Sequence, residues 1–137
     1  MAFPGTYNIN YYKGDTYEFS IYPKTADGSS FDLTSFVYDH DNNPATNLFD
    51  SARFYFAETR GGSNAPGYHQ CYAKISDDKR YIICAIRPAD AEYLDPTKTY
   101  VYDVQVSKPI NGGEYPMVIT LVTGTITVTD QVTSYNP

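Results

Sequence analysis

Residues 71–86 read CYAKISDDKRYIICAI, in which two apolar stretches flank the charged segment 77–80. A four-residue turn at 77–80 makes the two stretches antiparallel and sets three apolar pairs opposite each other: Ile75 and Ile82, Ala73 and Cys84, and Cys71 and Ile86. One face of this hairpin is then wholly apolar, so it belongs in a hydrophobic core. The stretch therefore predicts a β-hairpin that is buried on one side.

The same alternation of apolar and polar residues recurs along the rest of the chain. It predicts further strands at 7–11, 17–22, 51–59, 100–106 and 117–128, separated by turns at 13–15, 61–67 and 108–115. The segment 88–94 begins with a proline suited to a first helical turn, and Gly124 predicts a bulge or a bend. Seven to nine short strands with one short helical turn are typical of an all-β, antiparallel two-sheet sandwich of immunoglobulin-like size. A small barrel is the alternative.

Composition limits the classes of protein to consider. A chain of 137 residues fits one domain spanning 1–137. The formal net charge of -6 argues against a nucleic-acid partner, because phosphate binding needs clustered Lys and Arg. No apolar run reaches the ~18 residues of a membrane helix, and the first residues lack the features of a secretion signal. We therefore expect a soluble protein made in the cytoplasm, with no nucleic-acid or membrane partner.

Sequence motifs typical of catalysis are missing. Neither a Gly-x-Ser-x-Gly elbow nor a phosphate-binding Gly-x-x-x-x-Gly-Lys motif occurs. His69 shares the inward parity of the hairpin, which favours a histidine with a satisfied hydrogen bond over a catalytic one. Cys71 and Cys84 lie diagonally across the hairpin, so we expect free thiols. The sequence thus predicts a protein without enzymatic activity, cofactor, metal or small-molecule substrate.

Two acidic features leave alternatives open. The segment 39–43, DHDNN, brings together oxygen ligands that suit calcium, but it lacks the central glycine and closing Glu of an EF-hand. A solvated turn is therefore the favoured interpretation. The carboxylates of Glu18, Glu58 and Asp103 would support a small hydrolase only if folding brought them together.

Tyrosine is the most unusual feature of the composition, with 15 tyrosines and no tryptophan. The alternation places several of them opposite the core face, among them Tyr12, Tyr22, Tyr55 and Tyr72. Tyrosine combines a large contact area with few rotatable bonds and a polar tip, and it is common at protein interfaces and sugar-binding surfaces. The pattern favours binding or assembly. A carbohydrate-binding module is the alternative function, and simple covering of the outer sheet edges explains the tyrosines equally well.

A series of short motifs follows one another along the chain. They are Gly14-Asp15-Thr16, Phe31-Asp32-Leu33-Thr34, Ile86-Arg87-Pro88, Leu94, Tyr100, Tyr102-Asp103-Val104, Ile119-Thr120-Leu121, Gly124, Ile126-Thr127-Val128 and Val132-Thr133. In this order they resemble the immunoglobulin-like modules of tailed-phage virions, in particular the N-terminal domain of phage baseplate upper proteins. The resemblance covers nearly the whole chain, and the long loop 36–50 departs from it.

The resemblance implies a structural protein of a tailed-bacteriophage particle: a capsid decoration or minor capsid protein, or a small tail or baseplate component. Its location would be the virion. Its partners would be capsid or tail proteins and further copies of itself, held by symmetric contacts. The outward tyrosines, the loop 36–50 and the two termini supply the interface candidates, which are Phe3, Pro4, Tyr12, Tyr22, Phe36, Tyr38, Asp39, Asp41, Tyr55, Tyr72 and Tyr135.

Overall fold

A computed structural model describes residues 4–38, 49–109 and 114–133, which form ten β-strands and three short 3-10 helices. The strands are β1 (Gly5–Thr6), β2 (Ile9–Tyr12), β3 (Tyr17–Ile21), β4 (Val37–Tyr38), β5 (Phe49–Asp50), β6 (Arg53–Ala57), β7 (His69–Ile75), β8 (Ile82–Ile86), β9 (Thr99–Pro109) and β10 (Pro116–Thr129). The 3-10 helices are Thr34–Phe36, Gly62–Asn64 and Pro88–Tyr93. The all-β class is confirmed, and Pro88–Tyr93 is the predicted helical turn.

Eight of these strands form one curled sheet. Its order is β1-β10-β9-β6-β7-β8-β3, and β2 also pairs with β10. Strand β7 joins the two halves of the sheet, because Cys71 pairs with Phe54 of β6 whereas Tyr72 pairs with Ala85 of β8. Strands β4 and β5 form a separate two-stranded ribbon.

The sheet is mixed rather than wholly antiparallel. Strands β1 and β2 run parallel to β10, with Gly5 opposite Val122 and Ile9 opposite Ile126, whereas the other paired strands are antiparallel. The alternation of side chains reports which face of a strand is buried. It does not report the distant strand with which that strand pairs or the direction of the pairing, and the expectation failed at these two strands for that reason.

The hairpin at 71–86 has the predicted register. Ile75 pairs with Ile82, and Ala73 pairs with Cys84. The side chains of Ile75, Ile82 and Cys84 are buried, and Ala73 packs against them as part of the same core. The apolar face of the hairpin is therefore the inward face.

The core contains buried residues from both halves of the curled sheet. Buried residues of both halves form a single cluster. Phe19 of β3 meets the rings of Phe54 on β6 and Tyr102 on β9 edge-on, at centroid distances of 5.6 and 6.3 Å. These geometries are favourable for aromatic pairs. The Phe19 side chain of β3 therefore packs against side chains of β6 and β9 in the core.

Gly124 does not mark the predicted bulge. Strand β10 is continuous, and its register against β9 shifts between Thr120 and Val122 instead. A Cβ at Gly124 would overlap the backbone carbonyl group of Tyr7. The N-terminal segment passes closest to the sheet here, between the stretches that pair as β1 and β2. This division, together with β4 and β5, raises the number of strands above the seven to nine expected.

Residues 36–38, at the start of the expected loop 36–50, belong to a 3-10 helix and a strand. The 3-10 helix Thr34–Phe36 turns the Phe36 ring inward, where it is 1% exposed. The ring packs against Phe31 at a centroid distance of 5.8 Å, and the Lys108 ammonium lies 4.9 Å from its centroid. The expectation that Phe36 is an exposed interface residue is therefore wrong.

Candidate functional site

A groove lies on the outer face of the half-sheet that contains β6 and β9. Its volume is about 400 Å³, which is within the range of ligand-binding sites in proteins. Alternate residues of a strand point to opposite faces, so the outward residues of β6 and β9 line the groove while their neighbours line the core. The segment 59–62 and Tyr68 complete the lining. The outward strand residues in it are Arg53, Tyr55, Ala57, Val101, Asp103 and Gln105.

Two tyrosines form a stacked pair in this groove. The rings of Tyr55 and Tyr68 are nearly parallel, at 16°, with their centroids 4.6 Å apart. The Tyr55 hydroxyl donates a hydrogen bond of 3.0 Å to Oε1 of Gln70, which orients the ring. Burial raises the pKa of Tyr68, and the neighbouring Tyr55 raises it further. A tyrosine hydroxyl is neutral at physiological pH, and the Tyr68 side chain that carries it remains exposed.

The groove also contains a loose ion pair. Nη1 of Arg60 lies 4.0 Å from Oδ2 of Asp103, which is too far for a hydrogen bond. Burial raises the pKa of Asp103, and the Arg60 guanidinium offsets only part of that rise. Among residues 4–38, 49–109 and 114–133, no group donates a hydrogen bond to the Asp103 carboxylate. The Arg60 guanidinium and the Asp103 carboxylate thus line the same groove without a hydrogen bond between them.

Tyr55 is the one residue of the groove among the interface candidates predicted from the sequence. Tyr68 and Arg60, which flank the glycine-rich segment 61–67, were not predicted. The signal for them in the sequence is an aromatic and a basic residue at the two ends of that segment. The position of Tyr68 and Arg60 over the outer face of β6 depends on how the segment 61–67 folds. The alternation of apolar and polar residues does not predict that path.

Three other predicted tyrosines are exposed as expected, but none of them lines the groove. Tyr12 ends β2, Tyr22 follows β3 and Tyr72 lies on β7. The Tyr22 ring stacks on Tyr81 at a centroid distance of 4.9 Å. The predicted tyrosines are therefore distributed over several strands rather than gathered in one site.

The remaining interface candidates lie near or beyond the ends of the described segments. Pro4 is exposed, and Tyr38 is half-buried with its ring 5.3 Å from that of Phe49. The segment 39–43 considered for calcium lies outside the described residues. The same holds for Phe3, Asp39, Asp41 and Tyr135.

A second surface feature is an apolar tip, formed by Tyr115, Met117 and Val118 at the start of β10. These side chains are 64%, 39% and 52% exposed. Singly exposed apolar residues are ordinary on soluble proteins. Here three of four consecutive positions are apolar and exposed, with Met117 and Val118 on opposite faces of β10. The end of the strand therefore offers apolar groups on both sides, which makes the apolar tip a candidate for contact with another macromolecule.

The cluster around His69 is structural. Nε2 of His69 lies 2.8 Å from Oδ1 of Asp90, whose side chain is 2% exposed. Nε and Nη2 of Arg87 donate to the same carboxylate, each at 3.0 Å, and Tyr93 stacks on the imidazole at a centroid distance of 4.0 Å. Burial raises the pKa of Asp90, but the hydrogen bonds from Arg87 and His69 outweigh it and hold that pKa below its ordinary value. The predicted satisfied histidine is confirmed.

The three carboxylates considered for a hydrolase have separate surroundings. Glu18 lies on β3, and Glu58 accepts a hydrogen bond of 3.1 Å from Nζ of Lys98. Asp103 lines the groove. Across the parts of the chain that the structure describes, no three His, Cys, Asp or Glu side chains lie close enough to bind a metal ion.

Both cysteines are buried and unpaired with each other, as predicted. Burial raises the pKa of Cys71, and the nearby Asp90 carboxylate adds to the effect. Burial also raises the pKa of Cys84 to about 12. A protonated, buried thiol is a poor nucleophile, so the role of these residues is packing.

A scan against protein-family models and a search of curated proteins both found no match to this sequence. None of the helices in the described segments is long and apolar enough to cross a membrane. The function is therefore inferred from the fold and from the surfaces above.

Proposed function

We propose that the chain is an immunoglobulin-like module. The strands β10, β9 and β6 are neighbours in one half of the sheet, and β7, β8 and β3 are neighbours in the other. Immunoglobulin domains of the constant type place strands C, F and G in one sheet and A, B, E and D in the other. The two orders correspond when β3, β6, β8, β9 and β10 are taken as B, C, E, F and G, and β7 takes the place of D.

Two local features support this assignment. The Tyr100 hydroxyl, at the start of β9, accepts a hydrogen bond of 2.8 Å from the backbone N–H of Asp95. Immunoglobulin domains have such a tyrosine corner at the start of strand F, two residues before a cysteine. Here the residue two positions later is Tyr102, which packs with Phe54 and Phe19. This aromatic trio lies on the strands where antibody domains carry Cys, Trp and Cys.

We further propose that the module is a structural component of a tailed-phage particle, bound to capsid or tail proteins and to copies of itself. The apolar tip carries this proposal. The described residues form a hydrophobic core that does not include the apolar tip, so the three exposed apolar side chains at one end of the fold suit a contact with a neighbouring subunit. The resemblance of the strand motifs to phage modules points to the particle. Repetition on a symmetric shell makes weak contacts add up.

Co-sedimentation with purified particles of the source phage tests this role. The double variant Met117→Lys and Val118→Lys places two charges on the apolar tip, and we expect it to lower the affinity for particles about tenfold or more, because an unpaired charge is costly to bury. Thr127→Lys, at an exposed position of the same strand, is the matched control and should bind like the wild type. Equal binding of all three folded proteins would refute the role of the apolar tip. Absence of wild-type binding would refute the proposal that the chain is a component of the particle.

A further inference from the structure

The groove on β6 and β9 has a shape that a bare sheet does not provide. The outer face of a β-sheet is open, with side chains standing upright on it. Here the segment 59–62, followed by the 3-10 helix Gly62–Asn64, borders that face and makes it concave. Concave sites with a few convergent polar groups are where proteins bind small ligands.

The aromatic part of the groove offers a platform. One face of the Tyr68 ring is covered by Tyr55, at a centroid distance of 4.6 Å, while the residue as a whole remains exposed. An aromatic face carries partial negative charge. The C–H groups on one side of a pyranose ring carry partial positive charge, so they stack favourably on such a face. The hydrogen bond from Tyr55 to Gln70 holds the underlying ring in place before any ligand arrives.

The polar part of the groove suits a ligand that both donates and accepts hydrogen bonds. Arg60 has only donors, and the ionised Asp103 carboxylate has only acceptors. The 4.0 Å between them leaves both side chains, which are partly exposed, able to bond to a ligand. A ligand hydroxyl group can donate to the Asp103 carboxylate and accept from the Arg60 guanidinium. Arg53 is the third charged group of the lining, and its Nη1 already donates to the backbone carbonyl oxygens of Asp50 and Ala52. The groove thus presents donors and an acceptor together, which a neutral polyhydroxylated ligand can bond at the same time.

We propose that this groove is a saccharide-binding site, in which a neutral sugar ring stacks on Tyr68 and its hydroxyls bridge Asp103 and Arg60. The inference goes beyond the particle contact proposed above and is independent of it, because the groove and the apolar tip have no residue in common. A particle that carries such modules would gain a sugar-binding face, and repetition would raise a weak single-site affinity.

NMR titration of the ¹⁵N-labelled chain tests the proposal. The probes are glucose, galactose, mannose and N-acetylglucosamine with their β-linked disaccharides, each at millimolar concentration. We expect at least one probe to shift the amide signals of 59–62, Tyr68 and Asp103 in a saturable manner. Tyr68→Ala and Asp103→Ala should each weaken that binding about tenfold or more.

Tyr22→Ala is the matched control, because it removes an exposed stacked tyrosine outside the groove. It should bind the probe as the wild type does, and the dispersion of each spectrum verifies that the variant is folded. The proposal would be overturned if no probe shifted the amide signals of the groove, or if the shifts were confined to other surfaces. Either result leaves the co-sedimentation test unaffected, so the two proposals fail separately.

Discussion

The backbone carbonyl oxygen of Tyr7 lies against the Cα of Gly124, in the space that a Cβ would occupy. The Tyr102 hydroxyl donates a hydrogen bond to the same carbonyl oxygen. Next to it, Oδ1 of Asn8 accepts a hydrogen bond of 3.1 Å from the backbone N–H of Thr125. The N-terminal segment is thus fixed to β10 between β1 and β2, and one glycine sets how closely it approaches.

Replacing Gly124 with alanine should destabilise the fold by about 1–3 kcal/mol, because the new Cβ would press on backbone rather than on a movable side chain. Gly5→Ala is the matched control. A Cβ there would meet the Leu121 carbonyl oxygen at 3.9 Å, an ordinary van der Waals distance, so its effect should stay within about 0.5 kcal/mol. Urea unfolding measures both variants, and a Gly124→Ala protein as stable as the control would contradict the close approach.

Removing the Tyr100 hydroxyl should also lower stability. In Tyr100→Phe the part-buried backbone N–H of Asp95 loses its partner, which costs about 1–3 kcal/mol. Tyr22→Phe, in an exposed ring, should change the free energy of unfolding by no more than about 0.5 kcal/mol. Denaturant midpoints of the two variants provide the comparison. If they were equal, the tyrosine corner would have no energetic role.

The Asp90 carboxylate should stabilise the fold in a pH-dependent way. Burial raises its pKa, but hydrogen bonds from Arg87 and His69 lower the folded-state value below the ordinary 3.8. Such stabilisation is fully present above the ordinary pKa and is lost as pH falls through the folded-state pKa. Asp90→Asn should therefore cost about 1–3 kcal/mol at neutral pH, and the difference from the wild type should shrink below pH 3.8.

Denaturant unfolding at a series of pH values tests this linkage. Asp77→Asn is the matched control, because Asp77 is almost fully exposed and forms only a surface ion pair of 3.7 Å with Lys74. Its difference from the wild type should stay close to zero at every pH. A constant difference between Asp90→Asn and the wild type across the acid range would show that the buried carboxylate does not carry the expected linkage.

The sequence was informative where structure depends on near neighbours. The register of Ile75 on Ile82 follows from the length of one turn and from a matching apolar face, both contained within sixteen residues. The same holds for Tyr100, Tyr102, Val104 and Val106, which alternate inward along β9 as predicted. The satisfied state of His69 also followed from its parity in the hairpin.

The sequence was uninformative where structure depends on distant pairing. Parallel pairing of Ile9 with Ile126 joins the two ends of the chain, and alternation is the same for either strand direction. Gly124 is an unusual residue for the interior of a strand. A bulge and a close approach by another segment both favour glycine, so the sequence does not distinguish a bulge from the approach of Tyr7. The groove could not be predicted because it combines β6, β9 and the segment 59–62 with Tyr68, whose arrangement emerges only in three dimensions.

Cryo-electron microscopy of the purified source particle is the most direct test of the proposed structural role. We expect density for this β domain at symmetry-related positions, with Tyr115, Met117 and Val118 against a neighbouring subunit. Well-resolved particles in which no density fits the domain, or in which the domain binds with those three side chains facing solvent, would contradict it.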